Sequence, residues 1–215
     1  MHKNFQLART TRTIIGPRQT SGPAEESLVA QLGVHHRSRV LKHLRELPGN
    51  DRWLRFGYAI GDDSLHNYVR GLHFSRDAVF GAFDDSAELL ALGHLAFERS
   101  GPSSLADFGI SVLPRARRRG LGLALLQRAA MHAANRGATQ LVMTFLPGNT
   151  ALAQLATRAK MDFIQDQVEP RAYLALPAPS AATLMEETFG ELLAAIDLGF
   201  RVANAEQFDE AATSA

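Results

Sequence analysis

The chain has 215 residues, of which 46% are hydrophobic and 21% charged, a length and composition that fit one globular domain with a buried core. Its 23 basic and 22 acidic side chains give a net charge of +1, which excludes the overall positive field that gathers nucleic acid or coats a membrane. The lack of cysteine excludes disulfides, thiolate metal sites and a cysteine nucleophile, and with no secretory or membrane-spanning segment it favours a cytoplasmic location.

An N-terminal arm is predicted for residues 1–23, ahead of a domain at residues 24–177. The arm is basic, with Lys3, Arg9, Arg12 and Arg18 and no acidic residue before Glu25. Such a bias also suits an organellar presequence, but a frayed terminus is the simpler interpretation.

The first part of the domain is predicted to be helical. Leucines at helical spacing indicate a helix over residues 24–47, which Gly33 can split and the sequence "PGND" ends. A second helix is expected at residues 63–72, with Asp62 or Asp63 as its N-cap.

The histidines show no metal-ligand spacing, and the sequence His-Glu-x-x-His is absent. We therefore expect no metal site. His35, His36 and His43 are expected on the polar surface of the first helix.

Strands and helices then alternate along the chain. Apolar patterns predict a strand pair in "DAVFGAFDD" and "AELLALGHLAFER" and a third strand in "ADFGISVL". A helix at residues 120–136 follows, in which apolar residues recur every four positions and Gly137 provides the C-cap. After it come the strand "TQLVMTFLP", a short helix that begins at Asn149, and a strand pair in "DFIQDQVE" and "RAYLALP". This order indicates the α/β (α+β) class, with a mixed sheet flanked by helices.

A last helix is predicted at about residues 181–200, within a C-terminal segment of residues 178–215. Its apolar residues form one stripe, namely Met185, Phe189, Leu192, Leu193, Ile196 and Phe200. Such a stripe more often packs on its own domain, but it also suits a dimer partner. A monomer and a homodimer both remain compatible with the sequence.

The stretch "SVLPRARRRGLGLALL" places four arginines directly before two glycines and a leucine-rich helix. A turn from a strand into a helix presents free backbone N–H groups and the positive end of the helix dipole, which together bind anions. Glycines let the backbone approach phosphate oxygens, and arginines add forked donors. The local chemistry therefore predicts a phosphate site, against the alternative of a solvated basic turn.

The spacing of this motif narrows the phosphate compound. A dinucleotide-binding fingerprint requires a third glycine where the chain has Leu125, and a P-loop requires Gly-Lys-Ser/Thr, which is absent. What remains is Arg117-x-x-Gly120-x-Gly122, which resembles the acetyl-CoA pyrophosphate loop of the GNAT superfamily of N-acetyltransferases. The resemblance covers about residues 51–176 and includes the bacterial branch with protein-lysine acetyltransferases.

Other stretches support this resemblance. "RWLRFG" with "DDSLHNYV" looks like the early helices of bacterial members, "VFGAFD" and "LGHLAF" like their central hairpin, and "ADFGISVLP" like their fourth strand. "FLPGNTALAQLATRAKMDF" resembles the segment in which an asparagine starts a helix. The resemblance implies a GNAT-like fold, which is a mixed, mainly antiparallel central sheet with a splayed strand pair and flanking helices, here with an added C-terminal helix.

The resemblance also implies how acetyl-CoA is held. The backbone of the fourth strand would pair with the pantetheine arm, at Ile110, Ser111 and Val112. The loop residues would hold the pyrophosphate, and they are Arg117, Arg118, Arg119, Gly120, Leu121 and Gly122. Asn149 would contact the pantetheine, and Arg115 or Arg119 is a candidate for the 3′-phosphate.

For the chemical step the resemblance implies a carboxylate base. Asp107 stands where relatives with "AEF" have a glutamate, and its shorter side chain favours a bridging water. Many members have a tyrosine general acid where this chain has Ala156, so Tyr173 on the last strand is the remaining candidate. The pair Lys160-Met161 replaces the usual Gly-Phe end of the helix, which suggests an altered C-cap.

The sequence thus predicts an acetyl-CoA-dependent N-acetyltransferase that transfers the acetyl group directly to a primary amine. Its expected partners are acetyl-CoA and an amine acceptor, without a metal, a nucleic acid or a membrane. The acceptor, a small molecule or a protein lysine, stays open. A non-catalytic acyl-CoA-binding or sensing protein is the alternative, because the usual acid is missing and the base is shortened.

Overall fold

The computed structural model describes residues 28–98, 104–164 and 169–213. The arm predicted for residues 1–23 and the start of the helix predicted for residues 24–47 lie outside the described residues. The N-terminal elements are a short strand, a 3₁₀ turn and three helices, namely β1 (Val29–Leu32), the turn Val34–His36, α1 (Arg37–Glu46), α2 (Gly49–Phe56) and α3 (Asp62–Arg70).

The described residues contain a seven-stranded sheet with helices on both faces. The remaining elements are β2 (Ala78–Phe83), β3 (Leu89–Glu98), β4 (Leu105–Val112), α4 (Leu121–Asn135), β5 (Gln140–Thr144), α5 (Thr150–Arg158), β6 (Asp162–Ile164), β7 (Arg171–Ala175) and α6 (Ala181–Thr213). The strand order is β1-β2-β3-β4-β5-β7-β6, and within the described sheet only β4 and β5 are parallel neighbours. The predicted α/β (α+β) class with a mixed, mainly antiparallel sheet is confirmed. Residues 165–168 of the strand predicted in "DFIQDQVE" lie outside the described residues.

Two apolar layers hold the sheet between its helices. Alternate residues of a strand point to opposite faces, so each central strand contributes to both layers. Leu125 of α4 and Phe108 of β4 belong to the core on one face. Leu44 of α1, Leu65 of α3 and Leu92 of β3 belong to the core on the other face. Burial on both faces fixes the orientation of β3 and β4, which lie at the centre of the sheet.

The helix predicted for residues 24–47 is wrong in the described part that precedes Gly33. There the chain forms β1, an edge strand whose Val29 pairs with Ala82 of β2. Ala30 and Leu32 of this strand are buried, so the alternation of a strand coincides with the apolar spacing that indicated a helix. Pairing with a distant segment is not visible in local periodicity, and here it decides the structure.

The first helix ends directly before "PGND" as predicted, with α1 running to Glu46, but a further helix, α2, begins within that segment. Pro48 is the N-cap of α2, and Asp51 in the first turn places a negative charge at the positive end of the helix dipole. The helix ends at Gly57, whose φ of 81° is the left-handed conformation typical of a helix C-terminus. Residue patterns did not predict this helix, because proline and glycine were interpreted as a loop, and only the resemblance of "RWLRFG" to an early helix of bacterial members indicated it.

The C-terminal helix α6 begins where predicted and continues to Thr213. It lies against β1 and α4 and packs there through a face that includes Ala194 and Leu198, both buried. The predicted apolar stripe, for example Met185 and Phe200, is exposed instead. Packing on the domain therefore uses a different face from the one that the sequence pattern favoured. None of the described helices is long and apolar enough to cross a membrane.

A polar cluster joins α6 to the C-terminal half of α4. Glu187 Oε1 accepts hydrogen bonds from Arg128 Nη1 at 2.7 Å and His132 Nδ1 at 2.6 Å, and Oε2 accepts one from Asn135 Nδ2 at 2.6 Å. Burial opposes the ionisation of Glu187, but these hydrogen bonds outweigh burial and lower the pKa of Glu187 to about 2. An ionised, nearly enclosed carboxylate thus fixes α6 to the domain.

Candidate active site

The sheet divides between β4 and β5. These parallel strands pair only from Leu105 to Asp107 of β4, while β4 continues to Val112 and β5 to Thr144. The other edge of β4 stays paired with β3 as far as Val112, which lies opposite Ala91. The edge of β4 that follows Asp107 and faces β5 is therefore open for an extended ligand, which is the splayed strand pair that was predicted.

A loop with unsatisfied backbone N–H groups follows β4. Arg118 and Gly120 both have left-handed conformations, with φ of 62° and 84°, and α4 begins directly after Gly120 without a side-chain cap. Within the described residues, the N–H groups of residues 118–122 donate no hydrogen bond to another residue. The first N–H groups bonded inside the chain are those of Leu123 and Ala124, which donate to Gly120 O at 3.0 and 3.1 Å. This arrangement is typical of an anion site at a helix N-terminus.

The four arginines of the loop divide into two pairs. Arg115 donates to Glu46 of α1 at 2.7 Å, and Arg117 bonds to Asp51 of α2 and to the carbonyl of Val112. These two guanidinium groups connect the loop to α1 and α2. Arg118 and Arg119 are exposed, and neither forms a hydrogen bond or an ion pair with another described residue. Of the four guanidinium groups, those of Arg118 and Arg119 are therefore the ones without a partner in the described part of the chain.

The first turn of α4 lies close to β4 and α5. A Cβ added to Gly122 would lie 3.8 Å from Ile110 of β4 and 3.7 Å from Leu155 of α5, which is ordinary contact. Leu121, in contrast, is a buried core residue, so its side chain is directed away from a ligand and only its backbone is available. Asn149 caps α5, with its Oδ1 accepting from Leu152 N at 3.2 Å.

Asp107 and Tyr173 lie on one face of the sheet, on either side of β5. Val142 of β5 is paired with both of them, and directly opposite residues of a sheet point to the same face. One strand lies between them, so their Cα atoms are separated by about 10 Å. Asp107 is exposed and is also the last residue of β4 that pairs with β5. The predicted base therefore lies where the two strands separate.

Ser111 is held through its side chain by a buried histidine. The ring of His43 has Nδ1 at 2.9 Å from Leu89 O and Nε2 at 2.8 Å from Ser111 Oγ. The carbonyl requires a hydrogen on Nδ1, so Nε2 accepts the hydrogen bond from the serine hydroxyl. Burial lowers the pKa of His43 to about 4, which keeps the ring neutral at neutral pH. The expectation that His43 lies on the surface is wrong, and only the backbone of Ser111 is available to a ligand.

A second group of polar side chains, not predicted from the sequence, lies on the Asp107 face of β3 and β4. Arg55 Nη2 donates to Tyr68 Oη at 3.3 Å, and Tyr68 Oη lies 3.0 Å from His94 Nδ1. His94 Nε2 lies 3.6 Å from Oδ2 of the buried Asp77, which is too far for a hydrogen bond. Burial, and then the charge of Arg55, lower the pKa of His94, so its ring is neutral at neutral pH.

This second group approaches β4 closely because of a glycine. A Cβ on Gly109, which is opposite His94, would lie only 2.5 Å from Arg55 Nη2. The guanidinium of Arg55 therefore lies directly on the strand, two residues from Asp107. These residues come from α2, α3, β3 and the bend before β2, so no local spacing connects them in the sequence.

Two departures from the family pattern also have structural outcomes. Ala156 is fully buried in the core, so no polar group takes the place of the missing tyrosine at that position. Lys160 keeps a left-handed conformation, with φ of 56°, and Met161 is buried after it. The end of α5 thus has the turn that a glycine would form there. Among the described residues, no group of three or more His, Cys, Asp or Glu side chains is close enough to hold a metal ion.

Comparison with sequence families identifies one match. Residues 40–162 match the model of the acetyltransferase (GNAT) family, which is more than half of the 215 residues. No curated protein matches the sequence significantly.

The fold is similar to those of several solved structures. The GNAT domain of S. lividans PAT is 18% identical, with a TM-score of 0.60 over 69% of this chain and 89% of that one. The RimL ribosomal L7/L12 alpha-N-protein acetyltransferase in complex with coenzyme A is 17% identical, with a TM-score of 0.57 over 73% of this chain and 98% of that one. The ribosomal-protein-alanine N-acetyltransferase from Brucella melitensis is 13% identical, with a TM-score of 0.54 over 69% and 99%. At these identities the similarity establishes the fold.

Proposed function

The chain belongs to the acetyltransferase (GNAT) family, and we propose that it is a cytoplasmic enzyme that transfers an acetyl group from acetyl-CoA to a primary amine of a small molecule or a protein lysine. The observation that carries this proposal is the combination of the open edge of β4 with the unsatisfied N–H groups of residues 118–122. The open edge of β4 suits an extended chain of amides, and the N–H groups of residues 118–122 suit a diphosphate. Coenzyme A contains both groups in sequence.

The residues present fit the cofactor in the following way. The N–H groups of residues 118–122 would hold the pyrophosphate, and Arg118 and Arg119 would supply charge for it and for the 3′-phosphate. The backbone of Ile110 to Val112 would bond the amides of the pantetheine arm as a further strand would. Asn149 would contact the same arm, since its side-chain NH₂ group has no partner among the described residues.

The chemical step follows from where Asp107 lies. When bound, acetyl-CoA supplies an activated thioester. The amine nitrogen attacks the carbonyl carbon, the C–S bond breaks, and the proton released from nitrogen goes to Asp107 directly or through a water molecule. The leaving thiolate takes a proton, for which we propose Tyr173 as the donor. We propose direct transfer, and the lack of cysteine excludes a thioester intermediate on the enzyme.

A binding and turnover experiment tests this function. Acetyl-CoA binding is measured by calorimetry, and thiol release is followed across a panel of small amines and lysine peptides. We expect binding and, with at least one acceptor class, thiol release. Binding without release across the panel would favour the alternative of a sensing protein, and absence of binding would refute both.

The role of Asp107 is tested by Asp107→Ala, with Asp63→Ala in the first turn of α3 as the control. Loss of a general base typically costs about 100-fold or more in turnover. We expect that loss in kcat for Asp107→Ala, with acetyl-CoA affinity unchanged and with no loss for Asp63→Ala. Equal turnover of the two variants across the pH range would remove Asp107 from the mechanism.

A further inference from the structure

The C-terminal helix has two apolar faces. Ala194 and Leu198 belong to the face that is buried against the domain. The stripe that contains Phe189 and Ile196 lies on the opposite side of the helix axis, because consecutive residues are about 100° apart. A helix that only covers its own domain needs one apolar face. The second face is therefore without a partner among the described residues.

The unpartnered stripe is large enough for a stable interface. Its six residues are Met185, Phe189, Leu192, Leu193, Ile196 and Phe200, and they are between 42% and 74% exposed. With about 200 Å² for a fully exposed large side chain, they present on the order of 700 Å² of apolar surface. A standard interface buries about 800 Å² per partner, whereas single exposed apolar residues are ordinary on a monomer. The stripe alone nearly reaches the interface value.

The order of the stripe residues is symmetric about its centre. If a second copy of the helix runs antiparallel with a twofold axis between Leu192 and Leu193, Met185 of each copy lies opposite Phe200 of the other. In the same register Phe189 lies opposite Ile196. A twofold interface requires a surface that is complementary to itself, and this spacing provides it. We propose that the stripe of α6 binds the same stripe of a second copy of this chain in an antiparallel helix pair.

The charge of α6 disfavours a lipid surface as the occupant. Helices that lie on membranes usually have Lys and Arg beside the apolar face. The sequence of α6 contains seven acidic residues and one basic residue, Arg201. Arg201 is already paired with Asp197 and Asp85, at 2.7 and 2.6 Å. An acidic helix with a broad apolar stripe fits a second copy better than an anionic membrane.

The first test is the mass in solution, measured by size-exclusion chromatography with light scattering. We expect about twice the chain mass of 23.4 kDa for the wild type. Phe189→Lys/Ile196→Lys places like charges opposite each other, and we expect a single-chain mass with unchanged circular dichroism. The control Val34→Lys/Trp53→Lys replaces exposed apolar residues outside α6 and should leave the mass doubled.

Three outcomes would overturn the proposal. One is a single-chain mass for the wild type at about 100 μM, well above the micromolar Kd that such an interface supports. A doubled mass that the paired lysines do not reduce is another. The third is co-sedimentation of a monomeric wild type with phosphatidylcholine vesicles that the lysine variant loses, which would assign the stripe to lipid.

The second test exploits the absence of cysteine from the chain. Leu192→Cys places a thiol beside the twofold axis, so two copies should form a disulfide under mild oxidation. Met185→Cys places the two thiols about 15 residues apart along the axis, or roughly 22 Å, so they should not. Efficient cross-linking of Met185→Cys to its own copy would contradict the antiparallel register.

Discussion

The two ends of α4 share one backbone feature and differ in their hydrogen bonds. Gly120 before the helix and Gly137 after it both have φ of 84°, and a Cβ on either would meet nothing within 4 Å. At the C-terminal end, the N–H groups of Gly137 and Ala138 donate to carbonyls of α4 at 2.9 Å. At the N-terminal end, no described residue accepts from the N–H groups of residues 118–122. Amides without an acceptor among the described residues, and not the left-handed glycine as such, therefore distinguish the proposed anion site from an ordinary helix end.

The largest expected effect is on acetyl-CoA affinity, and it comes from changing the glycine at each end of α4. Gly120→Glu places a negative charge and a side chain at the N-terminal end of α4, where the N–H groups lack acceptors. Gly137→Glu makes the same change at the C-terminal end, where the N–H groups are bonded. Both should lose about 1 kcal/mol of stability, because a side chain is disfavoured at positive φ. Only Gly120→Glu should lose about 100-fold or more in acetyl-CoA affinity, measured by calorimetry. Equal affinities in the two folded variants would contradict the loop assignment.

The C-terminal half of α4 should affect stability and not binding. Glu187→Gln removes the charge that Arg128 and His132 bond to, and we expect a loss of about 2 kcal/mol in the free energy of unfolding. Acetyl-CoA affinity should stay unchanged. Urea titration and calorimetry on the same sample separate the two quantities.

The same variant has a defined pH dependence. Hydrogen bonds hold the pKa of Glu187 at about 2, below its usual value of 4.5. Its contribution is therefore complete above pH 4.5 and is lost as the pH falls towards 2. The stability difference between wild type and Glu187→Gln should shrink over that window. A difference that stays constant down to pH 2 would show that the charge of Glu187 is not the cause.

A smaller effect on acetyl-CoA binding is expected from Arg118 and Arg119, which directly precede α4. Arg118→Ala/Arg119→Ala should weaken acetyl-CoA binding about tenfold at low salt, because charge-assisted bonds to phosphate are lost. Arg115→Ala is the matched control, since its guanidinium is paired with Glu46. The difference between these variants should narrow as salt is raised. A larger loss of acetyl-CoA affinity in Arg115→Ala would show that Arg115, and not Arg118 and Arg119, provides the charge for the phosphates.

The smallest effect concerns a third helix end. Lys160 closes α5 with a left-handed φ of 56°, a conformation in which glycine avoids steric strain. Lys160→Gly should raise the free energy of unfolding by about 0.5 to 1 kcal/mol, measured by urea titration. Gly137→Lys, the reverse change at the end of α4, should lower it by a similar amount. A loss of stability in Lys160→Gly would indicate that the lysine side chain contributes contacts that outweigh the strain.

The elements predicted best were those defined by local periodicity. The helix at residues 120–136 and the pairing of β2 with β3 follow from spacing and from turn residues near Asp84. β1 could not be predicted, because its strand state depends on pairing with β2, far along the chain. Residue patterns did not indicate α2, because Pro48 follows the end of α1 and is at the same time the N-cap of the next helix.

The sequence predicted the loop of the candidate site, but it did not predict the polar group on β3 and β4. The loop before α4 is a continuous motif, so its chemistry is visible in the sequence. The group of Arg55, Tyr68 and His94 is assembled from three elements and has no local signature. The burial of His43 did have a local signature, because His43 lies three residues after the buried Val40 on the same helix face.

The strands β4 and β5 are paired at one end and separate at the other, so the two faces of the sheet meet where they separate. Beyond Asp107, β4 and β5 no longer pair, and α4 lies on one side of the sheet there while Arg55 lies on the other. Under the proposed function, donor and acceptor enter from different directions and occupy the gap together. Steady-state kinetics should then show a ternary complex instead of a ping-pong pattern. A single bisubstrate molecule that joins coenzyme A to the true amine would fill both entrances, and its tight binding would identify that amine.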